Sequence, residues 1–97
     1  MTFIIYIIES PNINKVYIGI TSRTLGQRFS GHKRTARKHS KHYCSSKDII
    51  RAGNSTIREL ETHNDKITIL QREKYYINDV YGGKCTNILK NTLGELP

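Results

Sequence analysis

Side chains that can transfer protons and bind anions recur at defined spacings in this chain. Tyr6 and Tyr17 lie in two apolar segments with ten residues between them. Arg28 and His32 are four residues apart, so a helix would align them on one ridge, one turn apart. Glu73 belongs to a later segment with helical periodicity. An imidazole transfers protons, a guanidinium binds oxyanions and a carboxylate binds metal ions, so Arg28, His32 and Glu73 are candidates for a reactive site. Phenols also transfer protons, but a tyrosine on a strand is by itself ordinary.

Positive charge is concentrated in one part of the sequence. The chain has 16 Lys and Arg against 8 Asp and Glu, a net charge of +8, and no acidic residue lies between Glu9 and Asp48. A contiguous field of one sign suits a polyanion, either nucleic acid or an anionic membrane surface. A basic surface that only keeps the protein soluble is the alternative. The cations of this stretch are Lys15, Arg23, Arg28, Lys33, Arg34, Arg37, Lys38, Lys41 and Lys47, joined by His32, His39 and His42.

The apolar pattern predicts a small α+β fold. A continuous β-branched run predicts a strand buried on both faces, and the turn residues after it predict an N-terminal hairpin. A later alternating segment predicts an edge strand. We expect a three-stranded, mostly antiparallel sheet flanked by about three helices, in one domain over residues 1–97. The predicted strands are Thr2–Ile8, Lys15–Thr21 and Thr56–Thr62, and the predicted helices are one from Thr24, Ser45–Ala52 and Asp65–Val80. Ser45 or Ser46 would cap the second helix, and Gly53 would end it.

Three local features refine these elements. Thr24 and Gln27 have the spacing of a capping box at the start of the first helix. Gly19 interrupts a strand, which indicates either a bulge or a close approach to the backbone. Glu73 lies on a helix face that we expect to be partly covered, where a carboxylate needs a partner. That partner is a metal ion or a base such as Arg72; an ion pair with Arg28 is a further alternative.

Composition and cysteine content indicate a protein of the cytoplasm. The apolar N-terminal run is short and lacks the basic residues of a signal peptide, and no segment reaches the roughly 20 apolar residues needed to span a bilayer. Cys44 and Cys85 do not form a CxxC pair, which favours a reducing compartment. A zinc site from both cysteines with His39 and His42 has suitable ligand types, but the spacing matches no standard pattern.

Five sequence elements together resemble a known family. They are "IIYIIE", "VYIG" after a turn, "RFSGH" on the first helix, "REKYYI" on the last helix and "TNI" near the end. This ordered set, which spans Ile4 to Asn87, is similar to the catalytic domain of the GIY-YIG endonucleases. The resemblance implies a small antiparallel sheet with flanking helices, in agreement with the fold predicted above.

The resemblance also implies roles for individual residues. Tyr6 and Tyr17 would be the two motif tyrosines, Arg28 the arginine that contacts phosphate, and His32 the histidine one helical turn later. Glu73 would bind the metal ion, Mg²⁺ or Mn²⁺, and Asn87 would complete the catalytic set. The implied DNA-binding residues are Gly19, Arg23, Lys33, Arg34, Arg37, Lys38, Lys41 and His42.

Two positions depart from the family pattern. Ile4 stands where the first motif has glycine, so strand one lacks that residue. Some members have a second histidine before the segment that resembles "SSK"; Cys44 is the nearest match here, and His42 lies two residues earlier.

The implied function is metal-dependent hydrolysis of DNA, double-stranded or branched, to 5′-phosphate and 3′-hydroxyl ends. We expect cationic neighbours to lower the Tyr6 pKa and so favour a phenolate or a shuttled proton; whether Tyr6, Tyr17 or His32 takes the proton from water stays open. No base-reading motif is present, so a specificity domain or partner protein would supply sequence preference. A noncatalytic nucleic-acid-binding module and an RNA-cleaving enzyme are the alternatives, and sheet tyrosines without a catalytic role are the simplest one.

Overall fold

The computed structural model describes residues 2–37 and 46–85, without the side chains of Arg37 and Lys84. The elements, in chain order, are strands β1 (Phe3–Ser10) and β2 (Ile13–Thr21), helices α1 (Leu25–Arg37) and α2 (Lys47–Arg51), strand β3 (Thr56–His63) and helix α3 (Lys66–Tyr75). A π-helical turn, Tyr76–Val80, continues α3, and a 3₁₀ turn, Gly82–Lys84, follows. The predicted α+β class, with three strands and three helices, is confirmed.

The three strands form one antiparallel sheet in the order β2-β1-β3. The apolar first strand is central, and its residues Ile5 to Ile8 are all 0 % exposed. A two-residue turn at Pro11 and Asn12 closes the β1–β2 hairpin. β3 pairs with the other side of β1 and is an edge strand of the described sheet, as its modest apolar content predicted.

The two faces of β1 contribute to different clusters. Ile5 and Ile7 pack against Ile69 and Ile77 of the C-terminal helical segment. The intervening residues Tyr6 and Ile8 point to the opposite face and pack with Ile49 of α2, and Leu25 and Phe29 of α1 also contact this second cluster. Since side chains alternate along a strand, the continuous apolar run of β1 is explained by helices on both faces of the sheet.

The capping signals in the sequence are largely confirmed. Thr24 Oγ1 accepts a hydrogen bond from Gln27 N–H at 3.1 Å, and Gln27 Oε1 accepts one from Thr24 N–H at 3.2 Å, which completes the predicted capping box. Asp65 caps α3 by accepting from Thr68 N–H at 2.8 Å. Gly53, with φ of +87°, ends α2 as predicted. These caps fix the positions at which α1 and α3 begin.

The last helix differs from the predicted continuous Asp65–Val80 segment. Its α-helical part ends at Tyr75, and in the π-helical turn Tyr81 N–H donates to Tyr76 C=O at 2.9 Å. One ridge, Ile69, Glu73 and Ile77, is buried, whereas Ile67 is 67 % exposed. At 100° per residue Ile67 lies about 200° from Ile69, so one sheet cannot cover both.

Arg72 pairs with Glu61 of β3, and the predicted salt bridge between Glu73 and Arg72 is wrong. Arg72 Nε and Nη2 donate to the two carboxylate oxygens of Glu61 at 2.7–3.1 Å. Tyr76 O–H donates to the same carboxylate at 2.6 Å, and His63 Nε2 lies 2.7 Å from it. These contacts, with Arg72 first, lower the Glu61 pKa to about 2. These contacts connect α3 and the following π-helical turn to the edge strand β3.

Replacing Glu61 by glutamine should destabilise the protein by about 1–2 kcal/mol at pH 7, because hydrogen bonds to a charged group are lost. The folded-state pKa is below the usual 4.5, so this stabilisation is present above pH 4.5 and is lost as the pH falls through about 2. Urea denaturation at pH 7 and pH 3 measures it. Glu59→Gln, exposed on the same strand, is the control; equal effects of the two variants would contradict this account.

No helix in the described part of the chain is both long enough and apolar enough to cross a membrane.

Candidate active site

Tyr6 lies at the centre of the candidate site. It pairs with Gly19 across the β1–β2 hairpin, and paired residues of neighbouring strands project from the same face. A Cβ atom at Gly19 would lie 2.9 Å from Cε2 of Tyr6 and closer still to Cζ and the hydroxyl. The register is regular here, so Gly19 is a close-approach position rather than a bulge. Its missing side chain leaves the space that the Tyr6 ring fills.

The Tyr6 hydroxyl is bonded to two residues of α1. Its oxygen lies 2.7 Å from His32 Nε2, and Arg28 Nε donates to it at 3.1 Å. Because Arg28 and His32 are one helical turn apart, the helix presents both to the same hydroxyl, as their spacing predicted. The fold therefore brings together three predicted site residues: Tyr6 of β1 with Arg28 and His32 of α1.

Tyr17 and Ser46 extend this cluster at opposite ends. The rings of Tyr17 and His32 pack edge to face with centroids 5.1 Å apart, and the Tyr6 and Tyr17 centroids are 6.2 Å apart. His32 Nδ1 lies 2.6 Å from the hydroxyl of Ser46, the residue before α2. Tyr6, His32 and Ser46 are buried, whereas Tyr17 is half-buried. The cluster thus runs from a partly exposed phenol to a fully buried hydroxyl.

Burial sets the protonation of the cluster. Burial, and secondly the positive charge of Arg28, lower the His32 pKa to about 4, so the imidazole is neutral at pH 7. Burial also raises the Tyr6 pKa, although the charge of Arg28 and hydrogen bonds with Arg28 and Tyr17 act in the other direction. The expectation that cations would lower the Tyr6 pKa is therefore wrong for the metal-free site, because desolvation outweighs them. A neutral phenol beside a neutral imidazole favours proton shuttling over a resting phenolate.

Glu73 is a buried carboxylate on α3. It is 8 % exposed, and burial raises its pKa to about 7. No described side chain forms an ion pair with it, neither Arg72 nor Arg28. The negative charge of Glu73 contributes to the raised pKa of Tyr6. Glu73 therefore interacts electrostatically with the cluster, although α3 packs on the other face of β1. A carboxylate in this state would be stabilised by a cation.

An open groove of about 690 Å³ adjoins the cluster along α1. Arg28 lines it together with Arg23 and Arg34, and Ser22, Gln27 and Ser30 add polar groups. None of the described residues that line it is acidic. The guanidinium that bonds Tyr6 through Nε is thus also part of a cationic surface that can accept an anionic chain.

The family comparison agrees with this geometry. The model of the GIY-YIG catalytic domain matches residues 2–84 of the 97-residue chain. The chain belongs to the GIY-YIG family. Members of this family are nucleases that act on DNA. No curated protein and no solved structure shows significant similarity to the chain.

The predicted DNA-binding residues of this GIY-YIG domain lie on more than one surface. Arg23 and Arg34 line the groove, whereas Lys33 lies over the Phe29 ring, with Nζ 4.3 Å from its centroid, and borders a separate cavity. Arg37 ends α1, and its side chain is not described. The remaining predicted site residues lie outside the described residues: Lys38, Lys41, His42 and Asn87. Their roles stay predictions.

The metal ligand predicted for this GIY-YIG domain is a single carboxylate, that of Glu73. Residues 2–37 and 46–85 contain no group of three or more His, Cys, Asp or Glu side chains that could hold a metal ion. His39, His42 and Cys44 of the alternative zinc site lie outside these residues, while the half-buried Cys85 forms a parallel bridge with Val16. Glu73 lies in the described part of the chain, and its role as a metal ligand stays a prediction.

Two features of the domain were not predicted as parts of the site. Ser46 was expected only as a helix cap, yet its hydroxyl bonds His32, fourteen residues away in sequence. Ser22, Gln27 and Ser30 were not considered as groove residues. The contact between Ser46 and His32 depends on how α2 packs on α1, which the sequence does not specify. The one signal in the sequence was a polar residue between the basic segment and α2. Ile4, in place of the family glycine, is half-buried and pairs with Thr21.

Replacing Gly19 by alanine should displace the Tyr6 ring. We expect cleavage to fall about 100-fold, because small misplacements of reacting groups are costly, and stability to fall by about 1–3 kcal/mol through overpacking. Gly26→Ala is the matched control, since its Cβ would meet no atom within 4 Å. Cleavage assays and urea denaturation measure both; an unaffected Gly19→Ala variant would contradict the close-approach interpretation.

Proposed function

We propose that this protein is a Mg²⁺-dependent endonuclease that hydrolyses DNA phosphodiester bonds to 5′-phosphate and 3′-hydroxyl ends. The observation that carries the proposal is the hydroxyl of Tyr6, which is bonded to a neutral His32 and to Arg28 beside a cationic groove. Family membership supports the nuclease class and DNA as the substrate. The cluster supplies an acceptor for the proton of water and a cation for phosphate, two requirements of this reaction.

The proposed proton path ends at His32. In hydrolysis the water oxygen bonds to phosphorus, the bond from phosphorus to the 3′ oxygen breaks, and that oxygen takes a proton. The proton lost by water would pass through the tyrosine hydroxyls to Nε2 of His32, whose imidazole is neutral at pH 7. The half-buried Tyr17 is the more accessible hydroxyl, and the fully buried Tyr6 connects it to the imidazole.

Arg28 would bind the reacting phosphate and orient Tyr6 at the same time. Its Nε–H donates to the Tyr6 oxygen, and its side chain also lines the groove. A guanidinium has five N–H donors and stays charged, so it can serve both partners. Developing negative charge on the nonbridging oxygens would be stabilised there without rearrangement.

Glu73 would hold the metal ion. Its nearly buried carboxylate, without an ion pair among the described side chains, fits Mg²⁺, which binds through one or two carboxylates and otherwise keeps water and phosphate oxygens. When bound, Mg²⁺ acts as a Lewis acid that stabilises charge on the phosphate and on the departing 3′ oxygen. Mn²⁺ has similar ligand preferences.

The DNA backbone would follow the groove along α1. Arg23 and Arg34 continue the positive surface from Arg28, and serine hydroxyls between them can donate to phosphate oxygens. Contacts of this type are independent of sequence and sensitive to salt. A specificity domain or a partner protein would then provide any sequence or branch preference.

Incubation of supercoiled plasmid with the protein and Mg²⁺ tests the proposal. We expect nicked and linear products that disappear with EDTA and with Glu73→Ala, while all samples bind DNA in a salt-sensitive way. Intact plasmid with both wild type and variant, despite binding, would identify the noncatalytic DNA-binding module instead. A parallel RNA substrate of the same sequence tests the alternative of RNA cleavage; preferential cutting of RNA would overturn the DNA assignment.

A further inference from the structure

Ser46 occupies a helix-capping position but does not cap its helix. It directly precedes α2 at the N-cap, where a serine hydroxyl normally accepts a hydrogen bond from a backbone N–H of the first turn. The Ser46 side chain makes no such bond, and its backbone is helical, with φ −86° and ψ −4°. Its hydroxyl lies instead 2.6 Å from His32 Nδ1, and the residue is 0 % exposed.

The position of this hydroxyl is fixed by packing. The backbone carbonyl of Ser46 accepts a hydrogen bond from Ile50 N–H at 3.1 Å. Ile49, in the first turn after it, is 0 % exposed and packs with Tyr6 and Ile8. The element that carries Ser46 is therefore held against the same β1 face as the site, which positions the hydroxyl next to His32.

The hydrogen bonds around Tyr6 favour one of the two neutral tautomers of His32. The Tyr6 oxygen accepts from Arg28 Nε–H, and the Tyr6 side chain is also hydrogen-bonded to Tyr17; with Tyr17 donating to the same oxygen, the single Tyr6 hydroxyl proton is directed at His32 Nε2 at 2.7 Å. A neutral imidazole has one acceptor nitrogen and one N–H donor. If Nε2 accepts, Nδ1 carries the proton and donates it to Ser46 Oγ.

We propose that Ser46 is a positioning residue that holds His32 in the Nδ1–H tautomer, in which Nε2 is the acceptor for a proton from Tyr6. The inference rests on the proposed function for its catalytic consequence. In the opposite tautomer, Nε2–H would point at the Tyr6 oxygen and the acceptor would be lost. A serine hydroxyl can accept from Nδ1–H, so it supports this tautomer without the negative charge that a carboxylate partner would add. The same oxygen remains an acceptor for Nδ1–H when His32 becomes an imidazolium.

The tautomer can be measured directly and without DNA or metal. Long-range ¹H–¹⁵N NMR spectra of the labelled full chain distinguish a protonated from an unprotonated ring nitrogen. We expect His32 to be protonated at Nδ1 in the wild type and in Ser46→Thr, which keeps the hydroxyl. In Ser46→Ala we expect a shift toward the Nε2–H form. Ser55→Ala, half-buried in the segment between α2 and β3, is the control and should keep the wild-type spectrum.

Single-turnover DNA cleavage supplies the second readout. Ser46→Ala should cleave about 10- to 100-fold more slowly at unchanged DNA affinity, because part of the acid–base contribution depends on the tautomer; Ser46→Thr should restore most of the rate. Two results would overturn the inference: an Nε2–H tautomer in the wild type, or a Ser46→Ala variant whose tautomer and cleavage rate are both unchanged. In an active enzyme, a change of tautomer without a change of cleavage rate would overturn it as well. If the wild type cuts neither DNA nor RNA, the proposed function fails, and the tautomer measurement alone decides the inference.

Discussion

Glu73→Gln should abolish Mg²⁺-dependent DNA cleavage and at the same time stabilise the metal-free protein at pH 8. Burial raises the Glu73 pKa to about 7 from the usual 4.5, so the fold favours the neutral carboxyl. This contribution to stability is fully present below pH 4.5 and is lost as the pH rises through 7. Glutamine has the same shape and no charge at any pH, so we expect a gain of about 2–3 kcal/mol at pH 8.

Three measurements separate this prediction from a general effect of substitution. Urea denaturation without metal at pH 5 and pH 8 should show the gain mainly at pH 8. Mg²⁺ should raise the melting temperature of the wild type but not that of Glu73→Gln, because only the carboxylate favours the cation. Asp79→Asn, on the exposed side of the π-helical turn, should change neither property. A Glu73→Gln variant that cuts DNA at the wild-type rate would exclude Glu73 as the metal ligand.

Tyr6→Phe should reduce cleavage about 1,000-fold with little change in DNA binding. The phenylalanine ring still fits over Gly19, but the hydroxyl that bonds Arg28 and His32 is lost, and with it the proposed proton path to His32. General acid–base catalysis typically contributes 10²- to 10⁴-fold, so the expected loss lies within this range. His32 Nε2 and Arg28 Nε lose their partner, which should also cost about 1–3 kcal/mol of stability.

Single-turnover cleavage at saturating protein measures the Tyr6 effect apart from binding. Gel-shift titration checks that wild type and variant are equally bound, and circular dichroism checks that the variant is folded. Tyr75→Phe serves as the matched control, because Tyr75 is 41 % exposed and lies on α3. If Tyr6→Phe reacts as fast as Tyr75→Phe, the hydroxyl has no part in the reaction and Tyr6 is a packing residue of the sheet.

Local sequence signals predicted the framework of the site well. The continuous β-branched run predicted a strand buried on both faces, and the four-residue spacing of Arg28 and His32 predicted their alignment. Both are confirmed because they depend on periodicity and on short-range contacts. The capping box at Thr24 is confirmed for the same reason. Gly19 required the structure to distinguish a bulge from a close approach, since the answer depends on the ring of a residue on another strand.

Features that depend on tertiary packing were not predictable. The contact between Ser46 and His32 exists because α2 packs beside α1, and neither sequence distance nor residue type specifies it. Arg72 bonds Glu61 on another element, although Glu73 is its neighbour in sequence. The raised Tyr6 pKa likewise follows from how completely the fold buries the ring, which composition does not give.

The ends of the cut DNA test the central claim most directly. The wild-type protein should nick a supercoiled plasmid only with Mg²⁺ or Mn²⁺, and a DNA ligase should reseal the nicks without prior kinase treatment, since hydrolysis that breaks the bond from phosphorus to the 3′ oxygen leaves a 5′-phosphate and a 3′-hydroxyl. Nicks that resist ligation, or an intact plasmid at protein concentrations that shift it fully in a gel, would contradict a hydrolytic site built from Tyr6, Arg28, His32 and Glu73.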